Sequence, residues 1–326
     1  MAVLVTGGAG YIGSHVVRML ERRGDSVVVV DDLSTGYSQR VESSPLVRLD
    51  ISNAEAQSRL SALMQEHEVT SVVHFAAKKM VGESVERPIW YYKQNVDGMI
   101  NLLAAMESNS VGTMVFSSSA ATYGMPSVDM LTEDLECKPI NPYGQTKLIG
   151  EWMIDNATRK SGLKAVKLRY FNVAGAGWND LGDTELMNLV PIVLDRLENS
   201  KAPIIFGGDY STPDGTCIRD YVHVADLAEA HICALDYLAA ANEAPAETVF
   251  NVGTGTGASV AEVINTIGSV LGQELTPAMG ERRPGDPPQL VADPERIGRV
   301  LGWKARYGLT DIAASAIRAK GWAVSS

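Results

Sequence analysis

The sequence predicts an α/β protein, a doubly wound parallel sheet followed by a smaller C-terminal α/β domain. Three observations predict it. Short runs rich in Val, Ile and Leu alternate with helix-period segments through the first 172 residues. Those runs lack apolar–polar alternation, as expected of strands covered on both faces. After 172 the texture changes, with Gly, Pro and Asp clustered at 174–182, 207–215, 253–257 and 282–288.

In chain order, 2–6, 26–30, 46–49, 71–75, 113–117 and 164–170 read as strands. Between them, 15–23, 53–66, 94–108 and 146–161 read as helices. Alternation of this kind winds a parallel sheet with helices on both faces. In the loop-rich part, 224–238 and 259–271 read as helices, and 249–252 as a strand returned to the first sheet.

The 326 residues are 45% hydrophobic and 21% charged, an ordinary globular balance with ample material for a core. A net charge of −11 speaks against a nucleic-acid surface. Cys137, Cys217 and Cys233 are scattered, form no Cys-x-x-Cys pair and stand with no histidine at metal spacing. Reduced thiols in the cytoplasm, and no metal site, are the expectation. Residues 1–6 are too short and not basic enough for a signal leader. No apolar run approaches the roughly 18 residues of a membrane span, so no membrane partner is expected.

Val3-Leu4-Val5-Thr6 runs into Gly7-Gly8-Ala9-Gly10-Tyr11-Ile12-Gly13, and a helix starts near Ser14. Gly7, Gly10 and Gly13 let the backbone turn sharply and approach a pyrophosphate. The helix N-terminus then offers free N–H groups and a positive dipole end. A glycine pattern alone is weak. Here a strand precedes it, a helix follows, and a second strand ends at Asp31. Asp31 comes 18 residues after Gly13, near the spacing of about 20 that a ribose-binding acid takes. A carboxylate there accepts hydrogen bonds from a ribose diol and repels a 2′-phosphate, so NAD is preferred to NADP. For Asp31 and Asp32 alike, the alternative is a solvated turn. The expected division is a dinucleotide-binding (Rossmann) domain at 1–172, with the returning strand near 248–252, and a substrate domain at 173–326.

Ser117-Ser118-Ser119-Ala120-Ala121 follows a buried run and would lie at the carboxyl edge of the sheet, where ligands bind. Serines there are usually only turn formers, and a lone Tyr143 reads as a half-buried aromatic. Tyr143 and Lys147, however, are four apart and share a helix face. A lysine charge favours tyrosinate and lowers the phenol from its free value of about 10. That makes Tyr143 an expected proton acceptor near neutral pH, with a serine hydroxyl beside it.

On these residues the chain resembles the extended short-chain dehydrogenases/reductases and, within them, the UDP-glucose (UDP-galactose) 4-epimerases, over nearly its whole length. The glycine loop and Tyr143-x-x-x-Lys147 point to the superfamily. The stretches 79–84 and 170–176 point more narrowly to the epimerases, with support from 219–228 and 282–286. The resemblance implies an isomerase that interconverts UDP-galactose and UDP-glucose. It oxidises C4 transiently to a 4-ketopyranose and returns hydride to the opposite face, with NAD tightly bound and not consumed. It implies Ser119, Tyr143 and Lys147 as the catalytic trio. Besides the glycine loop, it implies cofactor contacts from Tyr11, Ile12, Asp31, Asp32, Asp50 and Ile51. Phe75, Ala76, Lys79, Asn95 and Phe171 complete that set together with the trio. For the UDP-sugar it implies Lys79, Asn172, Asn188, Leu189 and Phe206. Arg219, Arg283, Asp286 and Leu290 join them, beside Ser119 and Tyr143. Two arginines suit a diphosphate through charge-assisted bidentate bonds. Asp286 suits a ribose diol, and Pro284-Gly285 suits a turn that aims its neighbours inward.

The nearest alternative is a 4,6-dehydratase or a UDP-glucuronate decarboxylase on the same frame. Dehydratases of this group carry an acidic pair after the hydroxyl residue, where Ala120 and Ala121 stand here. That weighs against dehydration, and less against decarboxylation. A non-catalytic NAD-sensing protein would be expected to lack part of the trio. By the resemblance, Leu290 gates an N-acetyl group on the sugar; leucine is intermediate in size, which leaves UDP-N-acetylhexosamines open. The loop 34–44 is short beside some relatives. A homodimer through the helices near 94–108 and 146–161 is also implied.

Overall fold

The computed structural model describes residues 1–283 and 285–325. The first half runs β1 (Ala2–Thr6), α1 (Tyr11–Arg23), β2 (Ser26–Asp31), β3 (Leu46–Arg48), α2 (Ala56–Glu66) and β4 (Ser71–His74). It continues through α3 (Val81–Glu86), α4 (Pro88–Tyr92), α5 (Gly98–Ser108), β5 (Thr113–Ser117), α6 (Pro142–Ser161) and β6 (Lys164–Tyr170). The second half adds β7 (Asn172–Ala174), α7 (Leu189–Glu198), β8 (Ile204–Phe206), β9 (Ile218–His223) and α8 (Val224–Ala240). Then come β10 (Val249–Val252), β11 (Gly257–Ser259), α9 (Val260–Leu271), β12 (Ala278–Gly280), β13 (Gln289–Leu290), α10 (Glu295–Leu301) and α11 (Leu309–Ala319).

Among the described residues, seven parallel strands make the main sheet in the order β10-β6-β5-β4-β1-β2-β3. This is the doubly wound α/β architecture. Both faces are covered, which explains why β1 and β5 read as unbroken apolar runs. One face packs Val3, Val5, Val73 and Val115 against α1 and α8. The other packs Leu4, Val72 and Met114 against α2 and α5. The chain winds outward from β1 in one direction and then crosses to β4, so the carboxyl ends of β1 and β4 open a crevice. A separate core joins Val190 and Leu194 of α7, Tyr221 of β9, Ile264 of α9 and Ile312 of α11.

Helix boundaries depart from the sequence reading where caps decide them. Helix α6 starts at Pro142, not 146. Asn141 caps it by accepting from the Gly144 N–H at 2.9 Å, and Pro142 sets the first helical φ. Tyr143 therefore lies in the first turn. The helix expected over 94–108 is broken: Lys93–Asp97 is a π-helical turn between α4 and α5, a local widening often found at functional sites.

Candidate active site

The crevice begins where β1 ends. Gly7 has φ +72°, and a Cβ on it would meet the Ala76 nitrogen at 2.7 Å. A Cβ on Gly13 would meet the Gly7 carbonyl oxygen at 2.2 Å, so α1 can start this close to the loop only without one. No side chain caps α1 at Gly10, which leaves its first N–H groups free for an anion. At the end of β2, Asp31 accepts from the Ala9 N–H at 3.0 Å and the Leu33 N–H at 2.8 Å. Burial nonetheless holds its pKa above the ordinary carboxylate value. Burial works the same way on Asp32, but hydrogen bonds from Ser34 and Lys78 outweigh it and hold that acid below its ordinary value.

These groups line one open cleft. The sequence-nominated Tyr11, Ile12, Asp50, Ile51, Phe75 and Ala76 line it with the glycines and the two acids, as do Lys79, Asn95, Tyr143 and Lys147. The π-helical turn carries Asn95, whose Nδ2 donates to Thr146 Oγ1 at 2.9 Å while its Oδ1 accepts from the Lys78 N–H at 2.8 Å. Asn95 thus ties the Lys78–Lys79 segment to α6. A glycine cradle, uncapped helix N–H groups and acids at the end of β2 suit a dinucleotide with a free ribose diol, so the residues fit NAD.

Tyr143 is buried and lines the cleft, and the nearby Ser119 hydroxyl, which accepts from the Ala121 N–H at 3.2 Å, acts to lower its phenol. The expected lowering of the Tyr143 pKa does not hold in this structure. Burial pushes the phenol well above its ordinary value and nearby Tyr170 adds to this, against the smaller Ser119 effect. The physical reason is that the Lys147 ammonium donates to the Ser117 carbonyl oxygen at 2.7 Å rather than to the phenol. Burial also draws the Lys147 pKa down to about 7, opposed by the charge of Glu151.

Ser119 and Phe171 stand off the cleft lining. Phe171 joins a buried cluster with Ala120, Tyr123, Leu131 and Ala292, and Leu290 packs against it. Leu290 pairs in register with Arg219 on β9. Arg219 Nη2 donates to Asp286 Oδ1 at 3.3 Å, and the Arg283 guanidinium lies 4.3 Å from the Phe206 ring centre. The turn expected at Pro284-Gly285 includes Pro284, which lies outside the described residues; Gly285 has φ +80°. Asn172 sits on β7, in register with Tyr221. Leu189 begins α7, and Asn188 before it donates to Asp183 Oδ2 at 2.9 Å.

Sequence reasoning missed Tyr170 and Lys78 as cleft residues. Tyr170 was legible only as the end of a strand, since nothing local says which face its ring takes. The position of Lys78 beside Lys79 was the available signal. Among the described residues, no group of three or more His, Cys, Asp or Glu could hold a metal ion.

A family model described as the NAD dependent epimerase/dehydratase family matches residues 3–253. The UDP-glucose 4-epimerase of Azospirillum brasilense is 45% identical over 314 residues, 95% of this chain and 88% of that protein. The crystal structure of UDP-glucose 4-epimerase from Brucella ovis in complex with NAD matches with a TM-score of 0.93 and 42% identity, covering 99% of each chain. That of UDP-glucose-4-epimerase from Stenotrophomonas maltophila, with bound NAD and formylated UDP-arabinopyranose, matches with a TM-score of 0.93 and 39% identity, covering 98% of each.

Proposed function

The chain belongs to the NAD dependent epimerase/dehydratase family, and from that premise we infer an NAD-dependent isomerase that interconverts UDP-glucose and UDP-galactose at C4. One observation carries the reading: Tyr143 and Lys147 line the same cleft as the glycine cradle, and Ser119 stands just past the end of β5. When bound, NAD would supply the redox chemistry, as hydride acceptor from C4 and donor to its opposite face.

The residues of this chain supply the proton chemistry. Tyr143 accepts the proton of the sugar 4-hydroxyl and gives it back when the carbonyl is reduced. Burial opposes the phenolate this requires. Two features favour it: the nearby Ser119 hydroxyl, which acts to lower the phenol, and the positive end of α6, since Tyr143 occupies its first turn. Ser119 also holds the 4-oxygen. A 4-ketopyranose that turns over within the site presents its other face, and no net redox follows. We assign Arg219 and Arg283 to the diphosphate, Asp286 to the uridine ribose and Leu290 to the sugar pocket. That division of labour supports a boundary near residue 172.

The alternatives are not favoured. Ala120 and Ala121 form the short turn after Ser119 and carry no acid for elimination. A sensing protein has no use for the complete trio.

The finer readings rest on local features. Ile100 of α5 and Trp152 of α6 are 50% and 56% exposed, and an apolar groove with Leu103 and Met153 runs between these helices. That supports a homodimer through this face. Free Cys137, Cys217 and Cys233 suit a reducing cytoplasm. Among the described residues, no helix is long and apolar enough to cross a membrane.

The test is to incubate the purified protein, without added NAD, with UDP-galactose and separately with UDP-N-acetylgalactosamine. Formation of UDP-glucose is expected in the first; the second reads the Leu290 gate. No turnover by protein that carries NAD would overturn the reading.

A further inference from the structure

Glu151 and Arg169 are both buried, and the reaction assigned above makes no use of them. Tyr143, Lys147 and Glu151 follow one another at four-residue steps on α6 and form one stripe. Glu151 Oε1 accepts from Ser118 Oγ at 2.5 Å and from Arg169 Nε at 2.9 Å, and Oε2 accepts from Arg169 Nη2 at 2.6 Å. Ser118 is flanked by Ser117, whose carbonyl holds the Lys147 ammonium, and by Ser119, whose nearby hydroxyl acts to lower the phenol. One carboxylate therefore ties together the end of β5, the helix of the tyrosine and the end of β6.

Such a pair is a poor way to stabilise a core. Desolvating two charges can cost more than their attraction returns, and apolar side chains of similar volume often serve as well. Arg169 Nη1 is also buried with no partner among the described residues, a further cost. Position is the better account of the pair.

We propose that Glu151, braced by Arg169, is a positioning residue for the epimerisation: it registers Ser118, and so Ser119, against Tyr143, and it places its carboxylate one helical turn from Lys147. The groups that face Lys147 leave it little else. His74 on β4 is neutral, its pKa driven to about 3 by burial and by Lys147 itself. The Phe116 ring centre on β5 is 5.0 Å from Nζ, and Ser117 offers only its carbonyl dipole. Tyr170 on β6 and Tyr143 on α6 are uncharged, their phenols raised by burial. Glu151 is the neighbour that opposes the loss of the lysine proton.

The inference rests on the epimerase reading, so the wild type is assayed in parallel. Its failure to turn over would sink that reading; the variants decide this one. Glu151→Gln alone would leave Arg169 buried and unpaired, so the first variant is Glu151→Gln with Arg169→Gln. It keeps an acceptor for Ser118 and removes both charges. We expect NAD to be retained, kcat at neutral pH to fall about tenfold with KM little changed, and the basic limb of the pH–kcat profile to move down by a fraction of a pH unit, since the loss of Arg169 offsets part of the loss of Glu151. A folded, NAD-loaded double variant whose profile superimposes on the wild type overturns the proposal. If that variant does not fold, Ser118→Ala decides it, since both charges stay in place. A severalfold fall in kcat with little change in KM supports the registering role, and unchanged kcat overturns it.

Discussion

At the scale of single residues, the site turns on a contest between burial and charge. Tyr143 was legible as a proton acceptor because a lysine follows it by one helical turn. What the spacing could not say is where the lysine head goes. In the structure it binds the Ser117 carbonyl, and burial holds the phenol protonated. Tyr143→Phe should keep the fold and the NAD while kcat falls about 10²- to 10⁴-fold, the usual worth of a general acid–base group; a steady-state assay reads it. Lys147 makes a second expectation. Its folded pKa is about 7, while the unfolded value is about 10.4. Between those values the unfolded chain binds more protons, so stability rises with pH there and the cost of the buried charge is full below about 7. Lys147→Met should therefore melt higher than wild type near neutral pH, with the difference closing towards pH 10. Melting curves across that range check it, and a constant difference would argue against the buried charge.

At the scale of elements, capping decides what periodicity leaves open. The strands were readable almost to the residue, because a strand buried on both faces is a short apolar run with turn residues at its ends. Helix starts were not. The start of α6 is set by Asn141 and Pro142, upstream of the periodic segment, and that choice puts Tyr143 at the positive end of the helix. Asn141→Ala should cost about 1 kcal/mol, a fall in Tm of roughly 2 °C for a chain of this size. Calorimetry measures the stability. Because the same cap places Tyr143, kcat should fall further than the small loss of stability explains. The π-helical turn at Lys93–Asp97 was invisible beforehand, since one extra backbone residue per turn leaves no mark in composition. Yet it delivers Asn95 to the junction of the Lys78–Lys79 segment with α6.

At the scale of the whole molecule, the site exists because the sheet reverses its winding between β1 and β4. That crevice gathers the glycine cradle, Asp31 and α6 from stretches far apart in sequence. The exposed α5–α6 face makes its own prediction. If two copies pair there, Trp152→Arg should convert a dimer to a monomer in light scattering after gel filtration, with NAD binding kept. What the sequence determined by itself was everything carried by contiguous residues: the strand runs, the glycine loop with its acid, the Tyr143–Lys147 step and the alanines that exclude an acid after Ser119. Such features need only the local backbone geometry to acquire meaning. What only the tertiary structure decided was which side chains meet: Lys147 with Ser117, Lys78 with Asp32, and Ser118 with Glu151 and Arg169. Those partners come from different strands and helices, and a hydrogen bond of about 3 Å depends on how the elements pack, which no spacing along the chain encodes.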